Sequence, residues 1–100
     1  MESAYQKCLE YELKSAGLAV ECEVPVPVVY RGIEIQVGYR MDMLIESCVV
    51  VEDKAVEKAL PIHYSQLLTY LRLTTSRLGY LLNWNVPLMK DGITRMVNNL

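Results

Sequence analysis

The stretch GYRMDMLIESCVVVEDK, residues 38–54, decides the fold. Two apolar runs, Met41 to Ile45 and Val49 to Val51, flank a polar break at Glu46, Ser47 and Cys48. Such runs around a short turn predict a β-hairpin. A loop of residues 46–48 has a common hairpin length and pairs position 45 with 49. Asp42 then falls directly across from Glu52. Side chains alternate faces along a strand. Asp42, Glu52 and Lys54 therefore share one face with Leu44 and Val50, and Met43, Ile45, Val49 and Val51 take the other.

Two carboxylates opposed on a sheet repel. A divalent cation is the simplest compensation, because hard cations take carboxylate oxygens. Lys54 could then orient or deprotonate a metal-activated water. The other reading is a solvated strand face with a Glu52–Lys54 ion pair, since these are common surface residues. Spacing alone supports both equally. A one-residue change of register would carry Asp42 to the opposite face. Arg40 has the parity of Asp42. It could compensate the carboxylates, meet a phosphate, or be an ordinary exposed arginine.

Upstream, Tyr5, Cys8, Leu9, Leu13 and Ala16 recur at helical spacing, which predicts a helix over 2–16 ending at Gly17. Glu2 lies in its first turn, where a carboxylate suits the helix dipole. Glu12 borders the apolar stripe and could point toward the hairpin. Residues 18–29 predict a strand with one wet face, and Pro25 and Pro27 place that end at a sheet edge. Arg31-Gly32 is a turn. Residues 33–45 then read as one long strand, with Ile33, Ile35 and Val37 on one face and Glu34 and Gln36 on the other.

Downstream, Pro61 opens a second helix over 62–74. His63, Gln66 and Tyr70 form one polar stripe on it, and Gln66 and Tyr70 are neighbours four residues apart. Taken alone, that stripe is also what a half-exposed helix flank looks like. Residues 78–84 are continuously apolar, as in a strand buried on both faces. Residues 93–100 read as a short terminal helix or a fraying tail.

One hundred residues make a single domain, and 52% apolar residues are enough for a core. The net charge of −2 and pI near 5.3 give no basic footprint for gripping phosphates. Contact with nucleic acid would have to be local, through Lys54, Lys58, Arg72 or Arg77. Cys8, Cys22 and Cys48 show no CxxC spacing. They predict no disulfide framework and no zinc or iron–sulfur site, and fit a reducing cytoplasm. No apolar run has the length of a membrane span, and no secretory signal is evident.

Six segments together carry a family resemblance. They are Glu2-Ser-Ala-Tyr5, Gln36-Val-Gly-Tyr-Arg-Met-Asp42, Val51-Glu-Asp-Lys-Ala-Val-Glu57, Leu60-Pro-Ile-His63, Gln66-Leu-Leu-Thr-Tyr-Leu-Arg-Leu73 and Asn83-Trp-Asn-Val-Pro-Leu-Met-Lys-Asp-Gly92. Over nearly its whole length the chain resembles the GxxExxY proteins of the PD-(D/E)XK nuclease superfamily. The Asp…Glu-x-Lys pattern joined to Gln-x-x-x-Tyr is similar to its RecB-like branch. The resemblance implies an α/β (α+β) fold with a restriction-endonuclease-like core: a mixed central sheet flanked by helices, in the order αβββαβ. It implies that Asp42 and Glu52 hold Mg²⁺ or Mn²⁺, with Glu2 or Glu12 completing the shell. Lys54 would act on the attacking water. Gln66 and Tyr70, with His63 and Arg40 as lesser candidates, would support the site and the substrate strand. The implied substrate is DNA, with RNA as the second candidate.

The family's leading glycine would precede Met1, so the expectation is a domain shortened at its N-terminus. Two departures stand out. Trp84 sits where the family more often has phenylalanine, and Asp53 replaces the usual apolar residue between Glu52 and Lys54. The rival expectation is a catalytically inactive nucleic-acid-binding or protein-interaction subunit; a third is a toxin–antitoxin or defence component whose partner supplies the basic surface. A homodimer formed through an edge strand is a further expectation.

Overall fold

The computed structural model describes residues 2–36 and 38–99. Helix α1 (Glu2–Ser15) leads into strand β1 (Val20–Pro25). A small ribbon follows, β2 (Val28–Tyr30) and β3 (Ile33–Ile35), and then the hairpin β4 (Arg40–Ile45) and β5 (Val49–Lys54). Helix α2 (Pro61–Leu73) crosses to β6 (Leu78–Asn83), and a short 3-10 turn, Met89–Gly92, leads to β7 (Ile93–Val97). The main sheet has five strands in the order β1-β4-β5-β6-β7. Its β5–β6 pair is parallel, and the other pairs are antiparallel. This mixed sheet with a helix on each face agrees with the expected restriction-endonuclease-like core.

The hairpin register is the one read from the loop. Ile45 pairs with Val49, Leu44 with Val50 and Met43 with Val51. Glu46 and Ser47 make the turn with φ of 52° and 56°. The face assignments hold for Leu44 and Val50 on one side and for Ile45, Val49 and Val51 on the other. Leu44, Val50 and Leu81 pack with Leu67, Tyr70 and Leu71 of α2, a cluster joined by Val26 and Met41. Ile45, Val49, Val51, Tyr80 and Leu82 face Leu9 and Leu13 of α1 across an apolar cleft. Full burial of one such leucine or valine stabilises by about 1.5–3 kcal/mol.

Two expectations need correction. The strand over 18–29 and the long strand over 33–45 are both broken. Their outer halves, β2 and β3, pair with each other in a separate two-stranded ribbon closed by Arg31 and Gly32. Pro25 and Pro27 bring no N–H to a ladder, and Gly38 turns the returning chain at φ 80°. Ile33, Glu34 and Ile35 are all exposed, so the ribbon has no buried face there. Val37, expected beside Ile33 and Ile35, lies outside the described residues. The second correction concerns the C-terminus. Residues 93–97 form β7 against β6, with alternating exposure, rather than a helix; Leu100 lies outside the described residues. The described cysteines are free, and among the described residues no helix is long and apolar enough to cross a membrane.

Candidate active site

At Asp42 the regular ladders give way on both sides. The β4–β5 pairing stops at Met43 and Val51. On the β1 side Cys22 pairs with Met43 and Val24 with Met41, but the rung between them is missing. Glu23, the residue at that rung, has φ of 55°. Side chains take over the freed backbone groups. The Asp42 N–H donates to Glu52 Oε2 at 2.8 Å, and the Gln6 amide of α1 donates to the Asp42 carbonyl at 3.2 Å. In return the Asp53 N–H donates to Asp42 Oδ2 at 2.8 Å. Each acid thus clasps the backbone of the opposite strand.

The clasp fixes the two carboxyl groups side by side and partly offsets their repulsion. Glu52 is buried, 2% exposed. Burial first, and then the neighbouring Asp42 charge, push its carboxyl up to about 8. Burial also raises Asp42, against the hydrogen bond from the Asp53 amide and the pull of Lys54. Among the described residues, Asp42 Oδ1 and Glu52 Oε1 enter no hydrogen bond, so each acid keeps an oxygen for a ligand. A pair held at this mutual cost is a chemically suitable donor set for a divalent cation. No group of three metal-ligating side chains is preassembled among the described residues.

Lys54 ends β5 on the same strand face and is half-buried. Its charge acts on Asp42, Glu52 and Asp53 without a direct ion pair to any of them among the described residues. The alternative Glu52–Lys54 ion pair is therefore not formed. Asn83, beside Lys54 in the parallel register, holds both the amide and the carbonyl of Val56. That clamp fixes the chain as it leaves the lysine.

From α2, Tyr70 enters the core at 2% exposure, and its hydroxyl receives a 2.9 Å hydrogen bond from the Gln66 amide. Burial and then the Glu52 charge raise the phenol's pKa. Arg40 is exposed. His63 has another task. Its Nδ1 accepts the Leu60 amide at 3.0 Å, which caps the start of α2. Glu2 is exposed, and its charge is felt at both Asp42 and Asp53. Glu12 is exposed further along α1, and among the described residues it joins no metal-ligating group with the pair.

Asp53 lies wholly buried on the α1 side of the sheet. Its Oδ1 accepts the Trp84 indole N–H at 2.9 Å, while its Oδ2 has no partner among the described residues. Burial drives this carboxyl up to about 6. The Trp84 ring stacks on Tyr5 of α1, with centroids 5.2 Å apart and 1° between planes. The two unusual residues of the sequence therefore answer each other: the tryptophan supplies the donor that phenylalanine lacks. Gln6, Asn83 and this pair escaped the sequence reading, because their partners are far away along the chain.

A model of the PD-(D/E)XK nuclease superfamily matches residues 1–96. No curated protein and no solved structure matches the chain.

Proposed function

The chain belongs to the PD-(D/E)XK nuclease superfamily, and from that membership we propose that it is a divalent-metal-dependent nuclease of the GxxExxY kind, hydrolysing phosphodiester bonds in DNA. The observation that carries this reading is the reciprocal clasp, Asp42 N–H to Glu52 and Asp53 N–H to Asp42, beside Lys54. Superfamily members generally use divalent metals, and Mg²⁺ or Mn²⁺ suits the two free carboxylate oxygens. When bound, the ion supplies charge stabilisation to the phosphate and acidifies water.

The chain's own residues divide the remaining work. Asp42 and Glu52 would hold the cation, which would relieve their mutual repulsion. Lys54 donates to or orients the incoming water oxygen and adds positive charge where negative charge develops. Gln66 and Tyr70 set the wall past which the strand runs. Gln6 and Asn83 are positioning residues: they fix the backbone at Asp42 and just after Lys54.

The test is incubation of the purified protein with labelled single- and double-stranded DNA in Mn²⁺ and Mg²⁺, beside Lys54→Ala. Cleavage with metal that disappears in the variant is the expected result. Calorimetry should show Mn²⁺ binding that Asp42→Ala abolishes. A folded protein that neither cleaves nor binds Mn²⁺ would instead be a binding subunit.

A further inference from the structure

A cleft opens between the start of β4 and the outer face of α2. Its volume is about 320 Å³, and its walls are Tyr39, Ile62, Ser65, Gln66, Thr69 and Tyr70. Tyr39 is 43% exposed and Ile62 67% exposed, so the mouth of the cleft is an aromatic and an aliphatic surface in water. Tyr39 meets the buried Tyr70 edge-on, with centroids 6.1 Å apart, and its carbonyl is held by the Val26 amide at 2.8 Å. That support fixes the main chain beneath an open ring. The polar groups lie on the helix side. Gln66 spends its amide N–H on Tyr70 and, among the described residues, leaves its carbonyl oxygen unused.

We propose that this cleft takes an unpaired nucleobase of the strand being cut, and that the substrate is therefore single-stranded nucleic acid. The inference deepens the nuclease reading and rests on it. Size is the first support, since the cleft lies at the small end of the range for ligand sites, about 300–1,000 Å³. Charge is the second. With 12 acidic residues against 10 basic ones, the chain has little electrostatic hold on phosphates. Binding must then come from contacts that need no charge, and base–aromatic stacking is the strongest of these. Position is the third. Tyr39 stands just before β4, three residues ahead of Asp42, so the cleft lies at the end of the strand that carries the acid. A duplex would have to expel a base from its stack to use the cleft, at a cost that a single strand does not bear.

The experiment measures binding of single strands and blunt duplexes by anisotropy, with Lys54→Ala in the background to prevent cutting. A parallel strand carries a fluorescent base analogue whose emission reports stacking directly. The single strand should bind at least about tenfold more tightly than the duplex, and Tyr39→Ala should weaken it about tenfold while Tyr39→Trp retains it. The analogue's emission should change on binding to Tyr39 and stay flat with alanine there. Ile62→Glu, at a wall position too exposed to endanger folding, should weaken single-strand binding as well. Equal affinity for duplex, or unaltered single-strand binding and emission in Tyr39→Ala, overturns the cleft assignment. If the wild type still cleaves DNA with Mn²⁺, the nuclease reading survives that result. A wild type that neither binds strands nor cleaves them loses both.

Discussion

Glu52 and Asp42 sit together at a cost, and that cost is measurable. Glu52 ionises near 4.5 in an unfolded chain and near 8 in the folded one. The folded state thus holds an extra proton between those values. Stability from this group is complete below about pH 4.5 and is lost as pH rises toward 8. Asp53 acts in the same direction between its ordinary 3.8 and about 6. Chelator-treated protein should therefore melt at a lower temperature at pH 8 than at pH 5. Glu52→Gln should flatten that decline and raise stability at pH 8 by on the order of a few kcal/mol, while removing Mn²⁺ binding. Thermal melts across pH decide it, and a wild-type curve that rises with pH would be contrary. The Asp53–Trp84 bond gives a second case. Trp84→Phe leaves the buried Asp53 without a donor, and Asp53→Val leaves the indole N–H without an acceptor. Each should cost about 1–3 kcal/mol in urea unfolding, whereas the double change should cost much less than the sum. The acidic pair was readable in the sequence because a three-residue loop dictates which residues oppose. Asp53–Trp84 was not, because the two meet only after β5 and β6 align in parallel.

Among the elements, those whose pattern is local were legible. The hairpin, both helices and the buried β6 follow from spacing, caps and turns. The C-terminal strand was misread although Ile93, Thr94 and Val97 are β-branched. Its partner β6 lies across the 3-10 turn, and that contact is what makes an exposed, short segment extended. The packing of α2 on the sheet depends on a detail that periodicity does not show. Gly79 of β6 lies under the helix, where an added Cβ would stand 2.9 Å from Leu67, 3.0 Å from Leu71 and 3.2 Å from the Val50 carbonyl. Gly79→Ala should push α2 outward and cost about 1–3 kcal/mol. Because Gln66 and Tyr70 ride on α2, the same change should lower activity by more than the melting temperature alone would suggest. Activity measured on the folded fraction separates the two effects.

At the scale of the molecule, the five-stranded sheet and its two helices form one cooperative body, and the β2–β3 ribbon stands outside it. The ribbon's Val29, Tyr30, Ile33 and Ile35 remain substantially exposed. Two isolated strands are marginal in water. In hydrogen exchange, amides of residues 28–35 should exchange well before those of β4, β5 and β6; equal protection would mean that something covers the ribbon in solution. The overall architecture was legible because its hydrophobic faces alternate cleanly. The ribbon was not, because the same alternation continues through it without any core beneath.

The place where the ribbon is rooted has its own consequence. Pro25 pairs with Arg40, and Val26 bonds to Tyr39, so the chain leaves the sheet and returns to it at adjacent points. Everything between is an excursion that starts and ends on the same rung. Such a junction tolerates deletion or enlargement, because joining two points already in contact adds little loop entropy. Residues 28–35 are thus a natural docking port for foreign sequence. A reporter or an added recognition module could be spliced there without disturbing the acidic pair.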